Sequence, residues 1–158
     1  MNENTRAVIQ FTFEASNEGR IHFGEVIARL VDAEVESYHV DYRSGRTTYY
    51  LPDGATLDFG FERPPEGIAV AFDGDAVRSA IQGAQQGRVM YPEFKQLSQR
   101  AGCVGYTVWI AGRHVTYLGR KGETHIERFP DPVTPHPESP APHPGSGTSA
   151  SSPTAPCD

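Results

Sequence analysis

The chain contains its own template. Moved along itself by 68 residues, Glu18–Thr56 lies over Gln86–Thr124 without a gap. The identical pairs are Gly19/Gly87, Arg20/Arg88, Glu25/Glu93, Ala33/Ala101, Tyr38/Tyr106, Val40/Val108, Thr48/Thr116, Tyr49/Tyr117, Gly54/Gly122 and Thr56/Thr124. A repeat of this length is one supersecondary unit used twice. The first copy is expected over about 5–61 and the second over about 73–129, within one domain spanning 1–130.

Both copies carry the same punctuation. Each opens with an amphipathic segment, with Val8, Ile9 and Phe13 on one helical face in the first and Val77, Ile81 and Ala84 in the second. Gly19 and Gly87 then stand where a helix end needs a left-handed residue. A second helix follows, carried by Phe23, Val26, Ile27 and Leu30 and, in the other copy, by Tyr91, Phe94, Leu97 and Ala101, with Pro92 in its first turn. Strict alternation comes next, the period of a half-buried strand. Tyr38, Val40 and Tyr42 share one face, as do Tyr106, Val108 and Ile110. Ser44-Gly45 and Gly112-Arg113 suit two-residue hairpin turns, and Asp53-Gly54 and Lys121-Gly122 mark a second turn. A third strand is expected at Thr56–Phe61 and at Thr124–Phe129. A bulge after Asp53-Gly54 would decide which face Leu57, Phe59 and Phe61 take. Ile68–Phe72 reads as a further short strand before Asp73 or Asp75 caps the next helix. The expected fold class is therefore α+β: a duplicated helix-helix-hairpin unit forming one antiparallel sheet with helices on one face, the halves related by a pseudo-twofold axis.

Composition narrows the partners. The formal net charge is −6, with Lys and Arg scattered among acidic residues rather than gathered in a stripe, which disfavours nucleic acid. The start, MNENTRAVIQ, lacks the basic-then-apolar pattern of a secretory signal, and no stretch approaches the ~20 apolar residues of a membrane helix. Cys103 and Cys157 do not form a disulfide framework. A cytoplasmic protein without membrane contact is expected. From Asp131 to Asp158 large apolar side chains are nearly absent, so 131–158 is expected to be a disordered Pro/Ser/Thr/His tail.

One resemblance follows from particular residues. Gln85-Gln86-Gly87, Tyr91, Phe94, Ala101-Gly102, Trp109 and Thr116-Tyr117, with Tyr38, Gly45, Thr48-Tyr49-Tyr50 and Gly54, form a pattern that resembles the YbcV-like family. The likeness covers nearly all of 5–130. It implies a domain of unknown function with prophage-encoded members, some labelled phage envelope protein, and it supplies no catalytic or binding residues.

Candidate site residues come from the face turned away from the helices. Alternation puts His39, Asp41, Thr48 and Tyr50 there from the first copy, and Thr107, Trp109, Thr116 and Leu118 from the second. A wet sheet face bearing Trp and Tyr is a binding platform, and His39, Asp41, Tyr50 and Trp109 are the candidate ligand-binding set. Three of these break the repeat: His39 stands against Thr107, Asp41 against Trp109, and Tyr50 against Leu118. Self-association as a homodimer competes for the same face, and an enzyme acting on a small polar substrate would draw on His39, Asp41 and Tyr50. Cys103, equivalent to Val35, reads as a small buried residue. His22, His39, His114 and His125 lack metal-ligand spacing, so no metal and no cofactor is expected. The leading expectation is a non-enzymatic binding or self-associating protein of unknown ligand.

Overall fold

The computed structural model describes residues 1–130 of the 158-residue chain. The tail expected over 131–158 lies outside the described residues. The elements run α1 (Glu3–Asn17), α2 (Phe23–Asp32), β1 (Ser37–Asp41), β2 (Arg46–Tyr50), β3 (Thr56–Gly60), α3 (Gly74–Gln85), α4 (Tyr91–Arg100), β4 (Cys103–Trp109), β5 (His114–Gly119) and β6 (Thr124–Arg128). The strands form one antiparallel sheet in the order β3-β2-β1-β4-β5-β6. The α+β class, with helices packed on the sheet, is as the sequence leads one to expect.

The duplication is visible in the register. α2 and α4, and likewise β3 and β6, begin and end at positions 68 residues apart. At the central seam His39 faces Thr107, its own equivalent in the other copy. A pseudo-twofold axis therefore passes between these two residues, perpendicular to the sheet. Their side chains meet there, His39 Nδ1 lying 2.8 Å from Thr107 Oγ1.

Local chemistry sets the boundaries. Asn2 caps α1 by accepting the Thr5 N–H, and Asp73 caps α3 by accepting the Ala76 N–H, each satisfying a donor that the first helical turn leaves free. Gly19 and Gly87 take positive φ and end α1 and α3. The hairpins differ from expectation. Both connections are four residues long, 42–45 and 110–113, and only the last residue of each, Gly45 or Arg113, takes positive φ. In the first, the Gly45 N–H closes onto the Asp41 carbonyl at 2.9 Å, so one left-handed residue suffices.

The third-strand register is settled by pairing. Tyr49 faces Leu57 and Thr47 faces Phe59, which places Leu57 and Phe59 on the helix side with no bulge between β2 and β3. The irregularity lies instead at Cys103/Gly105, between β4 and β5.

Ile68–Phe72 is not a strand. Its flanking donors go to the end of α4, Ala69 N–H to Gln99 O and Asp73 N–H to Ala101 O, so the segment forms a strap across that helix end. Apolar content made it resemble a strand, but its backbone donors are taken by the end of α4 rather than by a strand.

The core fills the space between helices and sheet. Ile9, Leu30, Val40, Val77 and Val108 are at most 1% exposed. Tyr42 is buried as well, and its hydroxyl meets Ser98 Oγ at 2.7 Å. Lys95, Ser98 and Gln99 on α4 are also buried.

Candidate functional site

The two layers do not fill the space between them. A cavity of about 660 Å³ lies between the helices and the middle of the sheet. Its floor includes Tyr38, Val40, Thr47 and Tyr49 from the first copy and Tyr106, Val115 and Tyr117 from the second; its roof includes Phe13, Val26, Ile81 and Phe94. The four floor tyrosines are two symmetric pairs, Tyr38/Tyr106 and Tyr49/Tyr117. Alternation aims them at the helices, and the ring pairs Tyr38–Tyr49 and Tyr106–Tyr117 each stand 5.3 Å apart. Burial raises the phenols of Tyr38, Tyr49, Tyr91, Tyr106 and Tyr117 well above their ordinary value, so all five remain O–H groups at biological pH.

One end of the cavity opens. Its lining residues His22, Phe23, Gly24, Gln85, Gln86, Gly87 and Arg113 are exposed, and Phe23 meets Phe129 edge-on at 5.9 Å beneath the Arg113 guanidinium. The symmetry-related end carries different residues at the same repeat positions. Pro92 replaces Gly24, and it lies within 3.5 Å of where a Cβ on Gly19 would be. Lys95 replaces Ile27; its ammonium donates to Asn17 Oδ1 at 2.6 Å and stands 4.6 Å and 5.1 Å from the ring centres of Phe61 and Tyr91. Burial lowers the Lys95 pKa. Held by two rings and an amide, Lys95 is a fixed cation at that end and does not itself line the cavity.

The candidates His39, Asp41, Tyr50 and Trp109 lie on the opposite, outer face, and none lines this cavity. They occupy three adjacent cross-strand rows. Tyr50 and Trp109 flank Ser37 in one row, His39 stands between Thr48 and Thr107 in the next, and Asp41 stands between Arg46 and Gly105 in the third. Tyr50 and Trp109 are 38% and 43% exposed, and the Trp109 indole N–H donates to Thr116 Oγ1 at 3.3 Å. Burial alone would raise the Asp41 carboxyl, but hydrogen bonds from the Arg43 backbone and side chain and from Ser44 outweigh it and hold it below its ordinary value.

His39 gives a pH dependence. Burial lowers its imidazole pKa, with Asp41 opposing the shift and Arg43 adding to it. The folded protein therefore takes up this proton less readily than the unfolded chain. The stability contributed by neutral His39 is present above the unfolded value of ~6.5 and is lost as pH falls through the folded value. Urea melts at pH 7 and pH 5 are expected to show lower stability at pH 5, with a smaller drop in His39→Gln. An undiminished drop in that variant would assign the effect to other groups.

The remaining sequence features are structural. Cys103 is fully buried and burial pushes its thiol up to about 12, the opposite of what a nucleophile needs. In the acidic stretch around the inter-copy connection, Asp58 pairs with Arg46, Glu66 with Arg100, and Asp73 caps α3. A shallower hollow of about 430 Å³ lies beside this connection, lined by Arg43, Arg63 and Arg120. Arg63 donates to the Arg43 carbonyl and Arg120 to the Ile68 carbonyl, stitching the loop down. No cluster of three or more potential metal ligands occurs among the described residues, and no described helix is long and apolar enough to cross a membrane.

Sheet, helix layer and tyrosine-floored cavity together define a two-layer α+β protein built by internal duplication. The chain belongs to the family of proteins of unknown function DUF1398, whose model matches residues 12–127 and so covers both copies. Over 86 residues it is 31% identical to the uncharacterized proteins Mb2035 of Mycobacterium bovis and Rv2012 of Mycobacterium tuberculosis. Each alignment covers 53% of this chain and 52% of the relative, so the chain spans about half the length of the curated relatives it matches.

Proposed function

We propose that this protein is a non-enzymatic cytoplasmic binding protein that holds a small, mostly apolar molecule between its helix layer and its sheet. The observation that carries this reading is the cavity of about 660 Å³, inside the range of about 300–1,000 Å³ typical of small-molecule sites. Its aliphatic and aromatic walls supply the apolar burial that drives such binding, and its exposed rim supplies a route in. The buried free thiol of Cys103 suits a reducing compartment.

The test uses the repeat itself. Phe94 occupies in the second copy the place that Val26 occupies in the first, so Val26→Phe adds a further ring to the roof. A panel of small apolar compounds is screened by thermal shift on the full chain. A binder at about 100 times its Kd is expected to add about 2.7 kcal/mol of stability, and Val26→Phe is expected to lose that gain while melting no lower than the parent. Shifts that survive in Val26→Phe, or no shift with any compound, would remove the cavity from consideration.

The outer face supports a second reading, self-association, because Tyr50, Trp109 and Ile126 are exposed together there, Ile126 at 57%. A stable dimer needs about 1,000 Å² or more of buried surface. Sedimentation of the parent and of a Tyr50→Ser, Trp109→Ser double variant would decide it: a monomer at all concentrations sinks the reading. His39 and Asp41 on the same face make a polar small ligand its alternative occupant. The resemblance to the YbcV-like family supports placing either activity in a phage or prophage accessory factor, on the strength of that family's prophage-encoded members alone.

A further inference from the structure

We infer that the cavity's ligand is a neutral, mostly apolar molecule that presents a carbonyl oxygen to the paired hydroxyls of Tyr38 and Tyr49, with Tyr117 a third unpartnered hydroxyl on the same floor. The inference rests on the cavity reading and specifies its ligand. All three tyrosines are between 3% and 6% exposed and line the cavity. A buried phenol hydroxyl ordinarily finds a hydrogen-bond partner, since leaving one unmade costs about 1–3 kcal/mol. Tyr106 donates to Tyr91 at 2.7 Å and Tyr42 is joined to Ser98. Among the described residues the hydroxyls of Tyr38, Tyr49 and Tyr117 have no such partner.

The duplication explains why three are left. Its symmetric floor has four tyrosines, and the roof position that reaches Tyr106 is Tyr91 in one copy but Phe23 in the other. Tyr91 therefore satisfies Tyr106, while Phe23 offers Tyr38 no hydroxyl. Tyr38 and Tyr49 stand side by side on β1 and β2, their ring centres 5.3 Å apart, so their two hydroxyls belong to one part of the cavity. Two O–H groups side by side in an apolar space match the two lone pairs of a carbonyl oxygen.

An ionised ligand group fits less well. Of the charge-bearing lining residues, Arg113 in the β4–β5 turn and Arg128 at the end of β6 belong to the rim, the half-buried Glu127 carboxylate stands 3.1 Å from His125 Nε2, and His22 stands at the α2 end of the mouth. Lys95 is not among the lining residues, and its ammonium is already held by Asn17, Phe61 and Tyr91. An anion carried to the tyrosine floor would lose its hydration without a counter-charge.

The experiment is an NMR titration of the full chain with three probes on one skeleton: α-tetralone, its parent hydrocarbon tetralin, and tetralin-1-carboxylate. The ketone is expected to bind at least about fivefold tighter than the hydrocarbon, the equivalent of about 1 kcal/mol from one net hydrogen bond. Tyr38→Phe and Tyr49→Phe keep the ring and remove the hydroxyl, so each is expected to weaken the ketone and leave the hydrocarbon unchanged. Equal binding of ketone and hydrocarbon would overturn the inference and leave the cavity reading standing. Tightest binding by the carboxylate would also overturn it. Failure of all three probes would overturn both.

Discussion

Replacing Gly102 with alanine is expected to lower the stability of the protein by about 3–4 kcal/mol, a large part of the 5–15 kcal/mol that holds a typical domain together. Two costs combine. Gly102 sits at φ +91, where an L-residue is strained by about 1–2 kcal/mol. A Cβ there would also lie 2.2 Å from the Ala71 carbonyl oxygen and 2.8 Å from Phe72 Cα. These are backbone atoms of the strap that ties the two copies together, pinned by the Asp73 N–H to Ala101 carbonyl bond, so they cannot turn aside as a side chain could. Gly54→Ala separates the two costs, since Gly54 has a similar φ of +89 with nothing within 4 Å of its Cβ. Chemical denaturation should show a loss of about 1 kcal/mol for Gly54→Ala and a loss several times larger for Gly102→Ala, with a melting temperature lower by about 10–15 °C. Equal losses would mean that the strap is free to move away.

Gly102 also shows what the sequence could and could not reveal. The duplication, the alternating strands and the glycines after α1 and α3 all follow from spacing and composition, because each rests on a local rule of backbone or burial. The side assigned to Tyr38, Val40, Tyr106 and Val108 follows from period two alone. Ile68–Phe72 did not, because its apolar content fits a strand and only the tertiary bonds to α4 show it to be a strap. The cavity was the least legible feature. Tyr38, Tyr49, Tyr106 and Tyr117 occupy inward positions whether the space behind them is filled or hollow, and alternation cannot tell the two apart. One signal was available: four inward tyrosines bring four hydroxyls into a layer that ordinarily takes Val, Ile or Leu, and polar tips inside a core need partners. The buried side chains of Lys95, Ser98 and Gln99 were hidden for the opposite reason, since polar residues on a helix read as its solvent face.

Phe94 is where stability and the proposed site meet, and Phe94→Ala is the second substitution expected to act strongly. Its ring packs edge-on against Tyr106 at 6.2 Å, against Tyr117 at 6.1 Å, and stacks with Tyr91 at 6.3 Å, so it bridges α4 to both second-copy floor tyrosines. Truncating a buried Phe in a filled core costs about 3–5 kcal/mol, in part for the void left behind. Here one side of the ring already borders a cavity, so the lower end, about 3 kcal/mol, is expected. The consequence for binding runs the other way from Val26→Phe: losing the ring enlarges the cavity, and bulkier apolar compounds should gain stabilising power in Phe94→Ala relative to the parent. Thermal shift across a size-graded compound series measures this directly. A uniform loss of binding at every size would mean that Phe94 holds Tyr106 and Tyr117 in place rather than merely bounding the space. A loss of stability near zero would mean that the helix layer is not supported through this ring at all. The copy that carries Phe94 also carries Pro92 and Lys95, and the copy that carries Val26 also carries Gly24 and Ile27. Bulk and the held cation thus lie on α4 and the slimmer residues on α2, which is how a symmetric scaffold acquires a cavity with two unlike ends.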